Sequence, residues 1–289
     1  MSDIKSELAG HYAGAPTSRR GFIVTSLGAG FALAAQPIMA QQLVTTDSQG
    51  LLAGEVKIPV ADGSIPAYRA APAGSKHAPV IIVISEIWGV HEHIADLTRR
   101  LAKLGYFAVA PELFARQGDP RKIESIPQLL TDIISKVPDA QVFGDIDATV
   151  SWAAKEGANT QRLGVTGFCW GGRITWMYCG HNPHVKAGVA WYGRLRDSVR
   201  ANQPRHPLDW ADSLYAPVLG LYGGKDQSIP LSDVDEMNIR LQAAKSASHI
   251  EVFPDAGHAF NADYRPSYRK AEAEEGWKRM LAWFKKYGV

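Results

Sequence analysis

Cys169 sits in the run Gly164-Val165-Thr166-Gly167-Phe168-Cys169-Trp170-Gly171-Gly172-Arg173, with a glycine two residues before it and another two residues after. A thiol at this G-x-C-x-G spacing can act as a nucleophile, because a strand turning sharply into a helix holds the central side chain above the edge of a sheet. Residues 162–167 read as a short buried strand, and residues 174–178 continue as an apolar, helix-compatible run. The new helix would offer unpaired N–H groups and the positive end of its dipole, which favour a thiolate and any oxyanion formed beside it. Plain close packing is the rival explanation, since buried cysteine and paired glycines are ordinary. The glycine spacing fits neither a dinucleotide fingerprint nor a phosphate loop.

A free thiol has a pKa near ~8.5 and is mostly protonated at neutral pH, so the chemistry needs a base. Two later segments supply the parts. Gly223-Gly224-Lys225-Asp226 follows one apolar run and Asp255-Ala256-Gly257-His258 follows another. His258 would take the proton from Cys169, and Asp226 would hold the imidazole in the tautomer that presents a basic nitrogen to sulfur. Taken singly, Asp226 reads as a turn aspartate and His258 as a loop histidine. Together they give the order nucleophile, acid, histidine, which is the chain order of an α/β-hydrolase triad with cysteine in the serine position.

The elements that must position these residues alternate along the chain. A strand, turn and strand over residues 55–70 precede a β-branched run at 80–84 of the kind buried on both faces of a parallel sheet. Then come helix 92–104, strand 106–110, helical segments over roughly 122–157, strand 162–167, helix 170–179, strand 185–191, strand 217–222, helix 231–245, strand 249–253 and helix 266–287. This rhythm predicts a mostly parallel central sheet with helices on both faces. In such sheets ligands bind beyond the C-terminal strand ends, where Cys169, Asp226 and His258 all fall.

The chain has 289 residues and a formal net charge of +2, so nothing marks a nucleic-acid face. Residues 1–40 are set apart. Ser18-Arg19-Arg20-Gly21-Phe22-Ile23 precedes an uncharged Ala/Gly-rich run, with Ala40 at a plausible cleavage point, so this segment looks like a twin-arginine export signal. The run is too interrupted by glycine for a membrane span. The expected product is a periplasmic protein of residues 41–289 forming one domain, exported by the twin-arginine machinery and not stably inserted in a membrane.

From about residue 50 onward the sequence resembles the dienelactone hydrolase family. The match is carried by Ser85-Glu86-Ile87-Trp88-Gly89, Pro111-Glu112-Leu113-Phe114-Ala115-Arg116-Gln117, Gly167-Phe168-Cys169-Trp170-Gly171-Gly172, Gly224-Lys225-Asp226 and Ala256-Gly257-His258-Ala259-Phe260. The resemblance implies an α/β-hydrolase fold and hydrolysis of an ester or lactone through a Cys169 acyl-enzyme, with His258 as base and Asp226 as its orienting acid. It also implies that Glu86 meets the thiol in the resting enzyme and that Arg116 binds a substrate carboxylate. A family arginine four residues after the histidine corresponds to Ala262, which leaves Arg265 as the candidate to replace it. The backbone N–H groups of Ile87 and Trp170 would stabilise the oxyanion.

Other functions are weaker on the same residues. His91-x-His93, and Cys179 with His181 and His184, lack zinc-site spacing, so no metal is expected, and the chemistry requires no cofactor. A peroxide-responsive thiol protein would need a resolving partner for Cys169. The only other cysteine, Cys179, lies about 15 Å further along the same helix. A catalytically inactive binding module on a hydrolase scaffold is opposed by the presence of nucleophile, acid, histidine and Glu86 together.

Overall fold

The computed structural model describes residues 44–289, so the twin-arginine pair and the expected cleavage point lie outside the described residues. Strands β1 (Leu51–Val60) and β2 (Gly63–Pro72) form an antiparallel hairpin about a turn containing Asp62. Strand β3 (Pro79–Ile84) leads through helix α1 (Glu92–Lys103) to strand β4 (Phe107–Pro111). The expected helical stretch then resolves into helix α2 (Ile126–Asp132) and helix α3 (Asp139–Lys155), with Pro138 capping the second. Proline has no N–H to continue a helix but suits a helix start, which explains the break.

Strand β5 (Asn159–Phe168), helix α4 (Trp170–His181), strand β6 (Val185–Trp191), strand β7 (Val218–Gly223), helix α5 (Leu231–Ala243), strand β8 (His249–Phe253) and helix α6 (Lys270–Lys286) complete the chain. The sheet order is β1-β2-β4-β3-β5-β6-β7-β8, antiparallel at the β1, β2 and β4 end and parallel from β4 to β8. This is the mostly parallel α/β-hydrolase-like sheet that the alternating pattern predicts.

Both faces of the sheet are covered. A Cβ built on Gly188 would strike Cys179 and Thr175 of α4, whereas Trp191, three residues on, packs its ring under Gly276 of α6. Residues an odd number apart on a strand point to opposite faces, so α4 and α6 lie on opposite sides. The chain leaves β3 toward β4 in one direction and β5 toward β6 in the other. The crevice of such a sheet opens where successive connections diverge, between the C-terminal ends of β3 and β5. Glu86 follows the first of these strands and Cys169 the second.

Helix α6 starts at Lys270, four residues later than the periodicity predicts. Residues 259–268 instead wind through successive turns: Ala262 N donates to Ala259 O at 2.9 Å, Arg265 N to Ala262 O at 2.9 Å and Tyr268 N to Arg265 O at 3.0 Å. Asp263 anchors this loop, accepting from Arg100 at 3.0 Å and pairing with His93 Nδ1 at 2.9 Å, both on α1. The contacts of Asp263 with Arg100 and His93 thus hold the segment that begins at His258 and override its helical periodicity.

Candidate active site

Cys169 occupies the turn between β5 and α4 with φ 55° and ψ −113°. A non-glycine residue there stores strain of about 1–3 kcal/mol, sustained only where the surroundings over-determine it. They do so here. Cys169 N donates to Trp191 O at 3.0 Å and Arg173 N donates to Cys169 O at 3.2 Å. A Cβ at Gly167 would lie 2.2 Å from Gly171 O, and one at Gly171 would lie 2.3 Å from Ile84 O, so both glycines are required by contact. The first turn of α4 therefore rests directly on the ends of β3 and β5, leaving the thiol partly exposed.

His258 Nδ1 lies 2.7 Å from Asp226 Oδ2. The Asp226 side chain is 1% exposed and that of His258 30%. Ser228 completes the carboxylate's shell, donating to Asp226 Oδ1 from N at 2.8 Å and from Oγ at 2.7 Å. Burial raises the Asp226 pKa, but the hydrogen bond and charge of His258 and the Ser228 bonds prevail and hold it below the usual aspartate range. Burial likewise opposes charge on His258. Its hydrogen bond to Asp226 and the influence of Cys169 outweigh that and push its pKa up to about 10. The histidine and aspartate from two separate strand ends are thus hydrogen-bonded, and the cysteine from a third interacts with the same imidazole. Such an arrangement can move a proton from sulfur to imidazole and keep the resulting cation paired.

Glu86 is 1% exposed and accepts a hydrogen bond at Oε2 from Tyr264 Oη. Arg265 Nη2 stands 3.8 Å and His91 Nε2 3.9 Å from the same oxygen. Burial raises the Glu86 pKa, yet the Arg265 charge, the nearby His91 and the Tyr264 bond win, holding it well below the usual carboxylate range. Glu86 is thus held by the Tyr264 hydroxyl and the Arg265 charge of the 259–268 loop. Arg265 Nε donates to Tyr264 Oη at 3.1 Å, and its charge also acts on Cys169. The position of the missing family arginine, Ala262, is fully buried, and the turns after it carry Arg265 to the site.

The Arg116 guanidinium, expected to read a substrate carboxylate, bridges Asp62 Oδ2 at 2.7 Å and Asp145 Oδ2 at 2.6 Å, tying the β1–β2 turn to α3. Two carboxylates of the protein thus occupy its fork in this structure.

Ile87 follows β3 by three residues and Trp170 opens α4. Neither backbone N–H donates within the hydrogen-bond network of the described residues. Cys179 is fully buried, and burial pushes its thiol far up, which leaves it unsuited to resolve an oxidised Cys169. Among the described residues no group of three or more His, Cys, Asp or Glu is arranged to hold a metal ion, and no helix is long and apolar enough to cross a membrane.

Ser228, Tyr264 and Tyr192 at this site escape the sequence reading, and His91 is weighed there only as a metal ligand. Only Ser228 leaves a local trace there, as the D-x-S pattern of an Asx turn after Asp226.

A family model described as the dienelactone hydrolase family matches residues 65–288, which includes the whole cysteine, aspartate and histidine constellation. The chain belongs to the dienelactone hydrolase family. It is accordingly an enzyme that hydrolyses ester or lactone bonds. A Methylorubrum extorquens protein named "Putative carboxymethylenebutenolidase" is 57% identical over 290 residues, spanning 100% of this chain and 100% of its own. An Escherichia coli protein of the same name is 53% identical, spanning 92% of this chain and 98% of its own. The crystal structure titled "Putative Dienelactone Hydrolase" from Klebsiella pneumoniae superposes with a TM-score of 0.81 at 55% identity, covering 82% of this chain and 99% of that one.

Proposed function

We propose that this hydrolase opens an ester or lactone by attack of Cys169, through a thioester acyl-enzyme, an activity of the carboxymethylenebutenolidase type. The observation that carries the reading is His258, which is hydrogen-bonded to Asp226 through Nδ1 at 2.7 Å and interacts electrostatically with Cys169. Sulfur adds to the carbonyl carbon as its proton rests on His258. The oxyanion is met by the N–H groups of Ile87 and Trp170, and the C–O bond to the alkoxide breaks as His258 returns the proton to that oxygen. For a lactone the alcohol stays tethered to the acyl group. Water then attacks the thioester with His258 as base, and the acid leaves as Cys169 is restored.

Glu86 holds Arg265 and Tyr264 beside the thiol in this scheme, and Arg265 takes over the reading of a substrate carboxylate from Arg116. Small alkylating agents should label Cys169 and abolish ester hydrolysis in proportion, while buried Cys179 stays unlabelled. Full activity after stoichiometric labelling of Cys169 would exclude the reading.

Residues 41–289 form the catalytic domain in this proposal and residues 1–40 direct export to the periplasm. Arg19-Arg20 ahead of the weakly apolar run supports that destination. Replacing both arginines by lysine should retain precursor inside the cell; undiminished periplasmic activity would overturn the export proposal alone.

A further inference from the structure

The turn that carries Glu86 and Ile87 leans on a buried carboxylate from the neighbouring strand. β3 and β4 run parallel with Ile82 opposite Val109, so the chain leaves both strands side by side, as residues 85–90 from one and as Glu112 from the other. Glu112 is 8% exposed, and its N donates to Pro66 O of β2 at 2.8 Å. Its Oε2 accepts from Val90 N at 2.8 Å. A Cβ on Gly89 would lie 2.5 Å from Glu112 Oε2, 2.9 Å from Oε1 and 3.0 Å from Cδ. The whole carboxyl group thus fills the space that a side chain at residue 89 would need.

The turn is shaped so that this one group can hold it. Gly89 N donates to Glu86 O at 3.2 Å, closing a β-turn with Ile87 and Trp88 at its corner. Such a turn uses only the N–H of its fourth residue, and the N–H of Ile87 has no acceptor among the described residues. Gly89 has φ 71°, a left-handed bend that brings Val90 N onto Glu112 just before α1 begins. Burial opposes the charge on Glu112 and raises its pKa despite the Val90 bond. A buried acid is a costly way to fill this space, so its strong acceptor has a use that packing alone does not explain.

We infer that Glu112 is a positioning residue for the oxyanion site, fixing the 86–90 turn so that the Ile87 N–H is aimed at the carbonyl oxygen of a substrate on Cys169. Glu112 acts through the turn and touches no substrate. When sulfur adds to the carbonyl carbon, the electron pair of the C=O bond moves onto oxygen, and a donor must already stand at hydrogen-bond distance from that oxyanion. A turn that relaxes away from Glu112 loses this donor while leaving the thiol and its histidine in place. The inference rests on the thiol hydrolase reading above, in which Ile87 meets the oxyanion.

The test follows three reactions of the full chain: hydrolysis of an activated aryl acetate, inhibition by an aryl trifluoromethyl ketone, and alkylation of Cys169 by iodoacetamide. The ketone adds to Sγ and places an oxyanion where the ester's tetrahedral intermediate has one, whereas alkylation forms none. Glu112→Ala should lower kcat roughly 10- to 100-fold, and weaken the ketone by the same factor, as a misplaced oxyanion donor would. KM and the alkylation rate should stay within about threefold of wild type, because ground-state binding and the thiol are untouched. Gly89→Ala, which pushes the carboxylate away from the other side, should give the same pattern and decides the matter alone if Glu112→Ala does not fold. Glu112→Gln keeps an acceptor for Val90 N and should remain within about fivefold of wild type in all three reactions. Alkylation that slows in step with hydrolysis, undiminished ketone affinity, or a Glu112→Gln loss equal to that of Glu112→Ala would overturn the role. A wild type that neither hydrolyses the ester nor binds the ketone would instead remove the thiol hydrolase reading itself.

Discussion

His258 Nδ1 stands 2.7 Å from Asp226 Oδ2, and Ser228 fills the other oxygen of that carboxylate through N and Oγ. The two residues thus have separable tasks, one orienting the imidazole and the other orienting the acid. Asp226→Asn should keep the fold yet lower turnover by up to ~10⁴, about 5.5 kcal/mol, because the amide favours the wrong imidazole tautomer. Ser228→Ala should cost about tenfold or less, the value of one hydrogen bond among several. Steady-state kinetics on one ester decide it; a loss under tenfold for Asp226→Asn would deny it the orienting role.

The same pair sets a pH signature in stability. The folded pKa of His258 is raised to about 10 from an ordinary 6.5, so its contribution is complete below about 6.5 and disappears as pH climbs through 10. The Asp226 pKa is lowered, so its contribution is present above the ordinary aspartate value and is lost as pH falls below it. The melting-temperature gap between wild type and Asp226→Asn should accordingly be widest between about pH 4 and 6.5 and narrow toward pH 10. A gap that stays constant across pH 6.5–10 would contradict the coupling.

Arg265 and Arg116 should separate in specificity assays. Arg265→Ala is expected to lose about 1.5–3 kcal/mol, roughly 10- to 150-fold, in kcat/KM for a carboxylate-bearing ester, with a much smaller effect on its neutral analogue. Arg116→Ala breaks the bridge between Asp62 and Asp145 and should affect both esters equally while lowering the melting temperature. A carboxylate-selective loss in Arg116→Ala would return that arginine to the substrate site.

The cysteine turn itself can be tested through its glycines. Gly171→Ala places a methyl 2.3 Å from Ile84 O, an overlap with backbone that cannot rotate away, and should cost about 3 kcal/mol or more. Gly144→Ala, with open space around it in α3, should instead stabilise by about 0.5–1 kcal/mol. Denaturant melts of the two variants give the comparison; a mild effect at Gly171 would mean that α4 does not rest on β3 as described.

The sheet, and the placement of Cys169, Asp226 and His258 just beyond strand ends, were legible because each rests on local pattern. The β-branched run at 80–84, the G-x-C-x-G turn and the strand-end acids and histidines are short signals that near neighbours alone produce. Arg116 was not legible, since its partners Asp62 and Asp145 lie 54 and 29 residues away and nothing local marks them. Tyr264 reaches Glu86 across 178 residues and was not legible for the same reason. The late start of α6 follows from the buried pairing of Asp263 with His93 and Arg100, a tertiary contact that outweighs helical periodicity.

Covalent catalysis by Cys169 is tested most directly by trapping the acyl group. The enzyme would be mixed with an activated aryl ester, quenched in acid during turnover and mapped by peptide mass spectrometry, alongside Cys169→Ala. One acyl group per chain is expected on the peptide containing Cys169, removable by hydroxylamine, with neither adduct nor turnover in the variant. An acyl group on another residue, or undiminished hydrolysis by Cys169→Ala, would contradict it.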